Sequence, residues 1–537
     1  MSQRVSIRFT VQQAYVLGLM MMAAGLTLSP FLMGMSQFWL VIVFVIDGFY
    51  TKSFHDKLSR FFHNKAAVLL VAFYLMHVVG LLWTTDYQYA MKDLRVKLPI
   101  LVLPFVLSSM QPLERRRFNQ VMLVYVGSVF VATLFSSVSY WRHDYEDVRE
   151  ISHFISHIRF CLNIVFSIAI IGWYGVRQRP ITRKNGVSAF GLKTAINLFL
   201  EYFLLIWFVC QIYIFESLSG YVIFAAVAVV SAVYAFLCWK KSKGWRIAVV
   251  AMTVAVIGAG AMMAVHVVKP LIEVESVDFS TLEKKTSQGN DYWHDTICNP
   301  VEDGKYVGLY YCRKELQEAW SQRSNLPLEG ITLNGEDLEA TLARYLTSKG
   351  LRKDAEGVAA LTDADVKNIE QGVANYNNWC HPGLRARLSS TLFEYNLYRR
   401  FNNPNGGSLS QRIEYTRASF HIIGQHPWFG VGTGDVPQAF RQAYDDIHSP
   451  LNEEFRFRAH NQYLAIAVAF GLVGLAFFLF VLLYPWFSSR ENRTYIYMVF
   501  LLIMLLSMFP EDTLETQAGA SLFAFFTSLL LFAAPKS

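Results

Sequence analysis

Apolar stretches of membrane-crossing length recur along most of this chain, and they constrain its fold more than any other feature. A helix needs about 20 apolar residues to cross a bilayer, where every backbone amide must be satisfied inside the protein. Twelve segments approach that length, near 12–29, 31–50, 66–83, 96–110, 119–140, 158–175, 196–215, 220–239, 246–268, 461–486, 495–509 and 517–533. The weakest is 96–110, which is short and carries Pro99 and Pro104. With 53% hydrophobic residues over 537 positions, a soluble globular protein is excluded. The expectation is an all-α polytopic membrane protein of about twelve transmembrane helices with one large helical extracytoplasmic loop domain. The first run follows a short basic lead, Arg4 and Arg8, and continues through Ser29-Pro30 into the second, which reads as an anchor rather than a cleaved leader.

Lys and Arg favour the cytoplasmic side of a membrane, so loop charges orient the spans. With the N-terminus inside, the inner segments collect Lys52, Lys57, Arg60 and Lys65, then Arg115 to Arg117, Arg177 to Lys184, Lys240 to Lys243, and Arg490 with Arg493. Acidic residues fall outside, at Asp144 to Glu150 and at Glu511, Asp512 and Glu515. Removing the 96–110 span would invert Arg115 to Arg117, so the charge pattern retains it. Both termini are then cytoplasmic, with transmembrane helices over 1–268 and 461–537 and an extracytoplasmic domain over 269–460. The net charge of +7 is mostly this topology signal and gives no reason to expect a nucleic-acid partner. In an oxidising compartment Cys298 and Cys312 are the most plausible disulfide pair, which leaves Cys380 over; no metal-ligand spacing is present.

The 269–460 segment carries helix punctuation. Asn334 precedes a periodic run through Leu338, Leu342, Tyr345 and Leu346 that stops at Gly350, and Thr362-Asp363-Ala364-Asp365 approximates a capping box. Both helices read as structural, with a lid or acceptor-docking surface as the alternative. A third helix starts at Ser408 and runs to Gly424, with Ile413, Phe420 and Ile423 able to form a buried face and Arg412, Tyr415 and Ser419 sharing another. Arg412 in its first turn stands beside free backbone N–H groups, which suits phosphate oxygens; the plain alternative is a solvated arginine. The following Trp428-Phe429-Gly430-Val431-Gly432-Thr433-Gly434-Asp435 could cradle a diphosphate with backbone N–H groups, or form a tight packing turn.

Arg458-Ala459-His460-Asn461-Gln462-Tyr463 lies where the polar segment ends and a long apolar run begins. Read as the start of that helix and flanked by Arg456 and Arg458, His460 is expected to stay neutral and able to accept a proton; otherwise it merely caps the helix. Lys92, Arg95 and Lys97 break the inside-positive trend in an outer segment, as binding of a lipid-linked phosphate would explain. Arg159 stands just above another span, and Glu216 ends a third.

Arg412, then His426-Pro427-Trp428-Phe429-Gly430-Val431-Gly432-Thr433-Gly434, His460-Asn461-Gln462-Tyr463-Leu464 and Gly471-Leu472-Val473-Gly474-Leu475 resemble the O-antigen ligase and polymerase superfamily. The organisation matches over nearly the whole chain and the motifs over about 408–475, most like an O-antigen ligase. The resemblance implies a metal-independent inverting glycosyltransferase without cofactor in the bacterial inner membrane. It would move a glycan from undecaprenyl pyrophosphate to a lipid A-core acceptor at the periplasmic face, in contact with membrane lipids. It maps the essential histidine onto His460 and the outer-loop arginine onto Arg412. Many members carry a Ser-Arg pair where this chain reads Ser219-Gly220, so Arg95, Arg159 or Arg417 is expected to stand in for that arginine at the donor pyrophosphate, with Lys97 and Arg458 as further candidates to bind it. A polymerase or a protein O-oligosaccharyltransferase uses the same donor with another acceptor. A polysaccharide or lipid transporter is the alternative of a different class, although Asp47, His77 and Asn163, which would have to line its path, are scattered.

Overall fold

The computed structural model describes the chain outside residues 1, 143–150, 153, 178–191, 239–246, 298, 536–537 and scattered positions from 248 to 261. Helix makes up 73% and strand 2%, which establishes an all-α protein. Two compact units are present. One comprises residues 1–252, 415–448 and 456–537, and the other residues 253–414 with 449–455.

Among the described residues of the first unit, seven helices are long and apolar enough to cross a membrane: Val11–Leu28, Pro30–Thr51, Lys65–Trp83, Arg115–Trp141, His157–Gly175, Leu218–Leu237 and Gln462–Ser488. Leu198–Ile214, Tyr495–Ser507 and Gln517–Ala533 are apolar but shorter. Segment 96–110 is the apolar half of one helix, Tyr87–Ser109, that continues through both prolines and whose charged first half, with Lys92, Asp93, Arg95 and Lys97, leaves its apolar run shorter than those seven. The expected 246–268 span falls partly outside the described residues.

Local chemistry sets the boundaries of these helices. Ser29 Oγ accepts from Leu32 N–H with Pro30 in the first turn, so two apolar helices are separated by a single residue. Asn64 and Asp86 cap Lys65–Val79 and Tyr87–Ser109 in the same way. The helix Tyr87–Ser109 then packs against Lys65–Val79 and against Gln517–Ser528, which brings sequence-distant segments together around residues 93–97 and 512–515.

The helix Gln462–Ser488 is broken at Gly471, whose φ of 65° and ψ of −168° belong to a region open essentially to glycine. A Cβ there would lie 2.2 Å from the Trp428 carbonyl carbon. Across the break the glycine-rich loop pairs with the helix backbone. Val431 N–H donates to Val468 O at 3.0 Å, Gly432 N–H to Ala469 O at 2.9 Å, and Leu472 N–H to Pro427 O at 2.8 Å. Gly430 approaches so closely that a Cβ would meet the Ala469 carbonyl carbon at 2.4 Å.

The second unit has its own apolar core of Leu316, Trp320, Leu328, Leu338, Leu342, Tyr345, Leu346, Val358, Leu361, Val366 and Ile369. The expected capping box is present, with Thr362 and Asp365 satisfying each other's backbone N–H at the start of Asp363–Glu370. Gly350 ends Leu338–Lys349 at φ 73°, as read from sequence, but its N-cap is Asp337 rather than Asn334. Asn334 lies a turn too early because 332–337 form a tight loop, with Thr332 bonded to Glu336. Cys312 is a buried free thiol, while Cys298 lies outside the described residues.

The helix Ser408–Gln425 forms where expected. Its buried stripe is Tyr415, Ala418, Ser419 and Ile422, whereas Phe420 is 62% exposed. Apolarity alone pointed to the wrong face, because Ser419 satisfies its hydroxyl within the helix by donating to Tyr415 O at 2.7 Å and so enters the interior cheaply.

Candidate active site

The apolar helix starts at Gln462 and its N-cap is Asn461, whose side chain accepts from Leu464 N–H. His460 therefore precedes the helix instead of beginning it, and its φ of 44° turns the chain sharply at that point. Its ring lies 5.5 Å from that of Tyr415 at 32° and edge-on to Phe457 at 6.3 Å, and the side chain is 36% exposed.

The side chains of His460, Asn461 and Gln462 meet the turn between the last two helices, and that of Tyr463 meets the end of the helix before it. His460 Nδ1 lies 4.0 Å from Asp512 Oδ1, and Asn461 Nδ2 donates to Phe509 O at 2.9 Å. Gln462 Oε1 accepts from Leu514 N–H at 2.6 Å while its Nε2 donates to Glu515 at 3.1 Å, and Tyr463 OH donates to Leu505 O at 2.8 Å. Sequence reading took Glu511, Asp512 and Glu515 only as topology markers. Their spacing in the last outer turn was the available signal.

Beneath the histidine lies a buried charge network. Glu515 accepts from Lys97 at 2.7 Å, Arg458 at 3.2 Å and Gln462; Lys97 also bridges to Asp93 at 2.5 Å. Arg458 reaches Asp512 at 3.4 Å and donates to Tyr89 OH at 2.9 Å. Burial raises the Glu515 carboxyl, yet Lys97 and Arg458 outweigh it and hold the group well below the usual carboxylate range. Burial pushes the Asp512 carboxyl up, against the pull of Arg458, His460 and Arg159. The cavity among His77, Tyr89, Asp93, Lys97, Arg458 and Glu515 is about 20 Å³, space for a single water.

The expected phosphate-binding residues are thus unequal. Lys97 is 2% exposed with its charge matched by two carboxylates, and Arg458 is committed to Asp512, Glu515 and Tyr89. Arg95 is exposed, as is Arg417 on the helix that carries Tyr415. Arg159 is half-buried, within electrostatic range of Asp512, and its Nε finds no hydrogen-bond partner among the described residues. Arg412 is the fifth residue of Ser408–Gln425 and so opens its second turn rather than lying in the first as expected; it is in the part of that helix belonging to the second unit and is half-buried.

The glycine loop does not present its amides to a ligand. Val431 and Gly432 N–H groups pair with the broken helix, and Gly434 N–H donates to Thr84 Oγ1 at 3.0 Å. Asp435 in turn accepts from Thr85 and Asp86 N–H groups at 2.8–3.0 Å. The packing turn is the arrangement found. As for metals, His460, Glu511 and Asp512 each offer an atom within 4.8 Å of the others. The Arg458 guanidinium at Asp512 competes with a cation there.

Residues 382–479 match the family model described as O-antigen ligase. The match covers less than a fifth of the chain. No curated protein matches it. The matched segment contains Arg412, Arg417, Arg458 and His460. The carboxylate partner Asp512, and the lysine and arginines at 95, 97 and 159, lie outside the matched O-antigen ligase segment.

Proposed function

We propose that this protein is an O-antigen ligase-type enzyme that transfers a glycan from undecaprenyl pyrophosphate to a lipid A-core acceptor at the periplasmic face of the bacterial inner membrane. The observation that carries the reading is the His460–Asp512 pair at 4.0 Å, within and beside a segment matched to O-antigen ligases. A separation of 4.0 Å exceeds a direct hydrogen bond, so the pair closes by a small movement or through a water. Asp512 then orients Nδ1, and Nε2 takes the proton from the acceptor hydroxyl as that oxygen bonds to the anomeric carbon. The bond from that carbon to the pyrophosphate breaks on the opposite side, which inverts its configuration, and undecaprenyl pyrophosphate leaves.

The leaving diphosphate needs cations, and in this reading Arg412, Arg159, Arg95 and Arg417 supply them. Lys97 and Arg458 are bound to Asp93, Asp512 and Glu515, and their role becomes holding Glu515, and through it Gln462, in place. Guanidinium stabilisation makes a metal ion unnecessary in this mechanism. Twelve spans with both termini cytoplasmic complete the reading.

Reconstitution with a lipid-pyrophosphate glycan and core lipid tests it. Glycosylated core lipid is expected from the intact protein and not from His460→Ala or Arg412→Ala. Chains lengthened on the donor lipid would instead indicate a polymerase, glycosylated protein a protein O-oligosaccharyltransferase, and movement of donor without product a transporter.

A further inference from the structure

The second unit holds a cleft of about 510 Å³ lined by Asn290, Asp291, Trp293, Tyr311, Cys312, Arg313 and Lys314. That volume lies within the usual range for small-ligand sites. Trp293 is 60% exposed, a large apolar surface to leave in water, yet its position is firmly set. Its backbone exchanges hydrogen bonds with Tyr311, N–H to O at 2.8 Å and 3.0 Å, and the two rings stand at 89° with centroids 6.2 Å apart. Tyr311 OH donates to Glu339 at 2.5 Å, and Arg313 holds the same carboxylate through Nε and Nη2, both at 3.1 Å. Asn290 donates to Glu315 at 2.7 Å. The walls are therefore pre-organised.

The chemistry of the lining selects a ligand class. No aliphatic side chain contributes to it, so neither a lipid tail nor the apolar face of a helix finds a counterpart. An indole face set beside amide, carboxylate and guanidinium groups suits a pyranose ring, which stacks its C–H face and hydrogen-bonds through its hydroxyls. Local charges nearly cancel: Asp291 lies 3.8 Å from Lys285, and Arg313 pairs with Glu339 and, at 3.6 Å, with Glu329. That balance favours a neutral sugar over a phosphorylated one. These residues precede the matched segment 382–479, so the O-antigen ligase match assigns them nothing.

We propose that this cleft is a non-catalytic binding site for a neutral oligosaccharide, with Trp293 as its stacking platform. The full chain in nanodiscs is applied to an array of lipid-free neutral oligosaccharides of glucan, mannan, galactan and rhamnan type. Binding of at least one is expected, weakened roughly tenfold or more in Trp293→Ala, a loss of the size that removing a stacked aromatic produces. Asp291→Ala, which removes only an exposed carboxylate, should weaken the same ligand. Trp379→Ala, at another exposed indole (54%), should leave binding unchanged. His460→Ala should also retain binding whether or not the transfer reading holds, which keeps the two ideas separable. The proposal is overturned if no neutral oligosaccharide prefers the intact protein to Trp293→Ala, if Trp379→Ala loses as much, or if only phosphorylated sugars or lipid vesicles bind.

Discussion

Asp512 places a carboxylate oxygen 4.0 Å from Nδ1 of His460, although 51 residues and two helices separate them in sequence. The pair gives the imidazole an orienting partner at Nδ1, and the proposed base is Nε2. His460→Ala is expected to lower kcat for glycan transfer by roughly 10²–10⁴, the range general-base assistance contributes. Asp512→Asn should lower kcat with little change in the acceptor KM, and Asp512→Glu should recover part of it. Steady-state kinetics on reconstituted protein checks this; a purely structural role for Asp512 predicts equal loss of folded protein and of activity at unchanged kcat.

Glu515 is a stabilising ion whose worth depends on pH. Its carboxyl is held below the usual range in the fold, so its contribution is fully present above the unfolded value near 4.3 and is lost as pH falls toward the folded one. Glu515→Gln leaves Lys97 and Arg458 short of a buried counter-charge, a loss of about 3–5 kcal/mol at pH 7. Thermal unfolding of detergent-solubilised protein should show a large difference between variant and parent at neutral pH and a smaller one at pH 4 and below.

Gly471→Ala puts a side chain into a backbone conformation that costs about 1–3 kcal/mol and drives a Cβ to 2.2 Å from the Trp428 carbonyl carbon. The variant should accumulate poorly and unfold several degrees lower, whereas Gly424→Ala, where a Cβ meets open space, should behave as parent. Comparing expression and melting temperature of the two decides the matter.

Chelation distinguishes two uses of the His460, Glu511 and Asp512 group. With Arg458 3.4 Å from Asp512, transfer is expected to proceed at an unchanged rate after exhaustive treatment with EDTA. Loss of activity restored by one divalent cation would make these three residues metal ligands and remove His460 as base.

Much of the architecture was legible because its signals are local. Apolar length, the Thr362–Asp365 capping box, Gly350 at a helix end and Ser408 at a helix start all act within a few residues. The acidic turn at Asp512 and Glu515 was visible as charge, but its partners lie on helices distant in sequence, and no periodicity reports which helices pack together. The glycine loop shows the same limit from the other side: alternating glycines indicate close backbone approach, and only the fold reveals that the approaching backbone is the protein's own helix at 468–471. Lys97 looked like a phosphate ligand for the same reason, since sequence displays a charge without its counter-charge.

The interrupted helix at Gly471 also bears on how this protein is made. Carbonyls of Val468 and Ala469 that a continuous helix would consume are taken up by Val431 and Gly432, which the ribosome delivers earlier. Left alone in hydrocarbon, such groups cost several kcal/mol each. The helix Gln462–Ser488 therefore takes its broken form only with the loop docked on it, so each is a condition of the other.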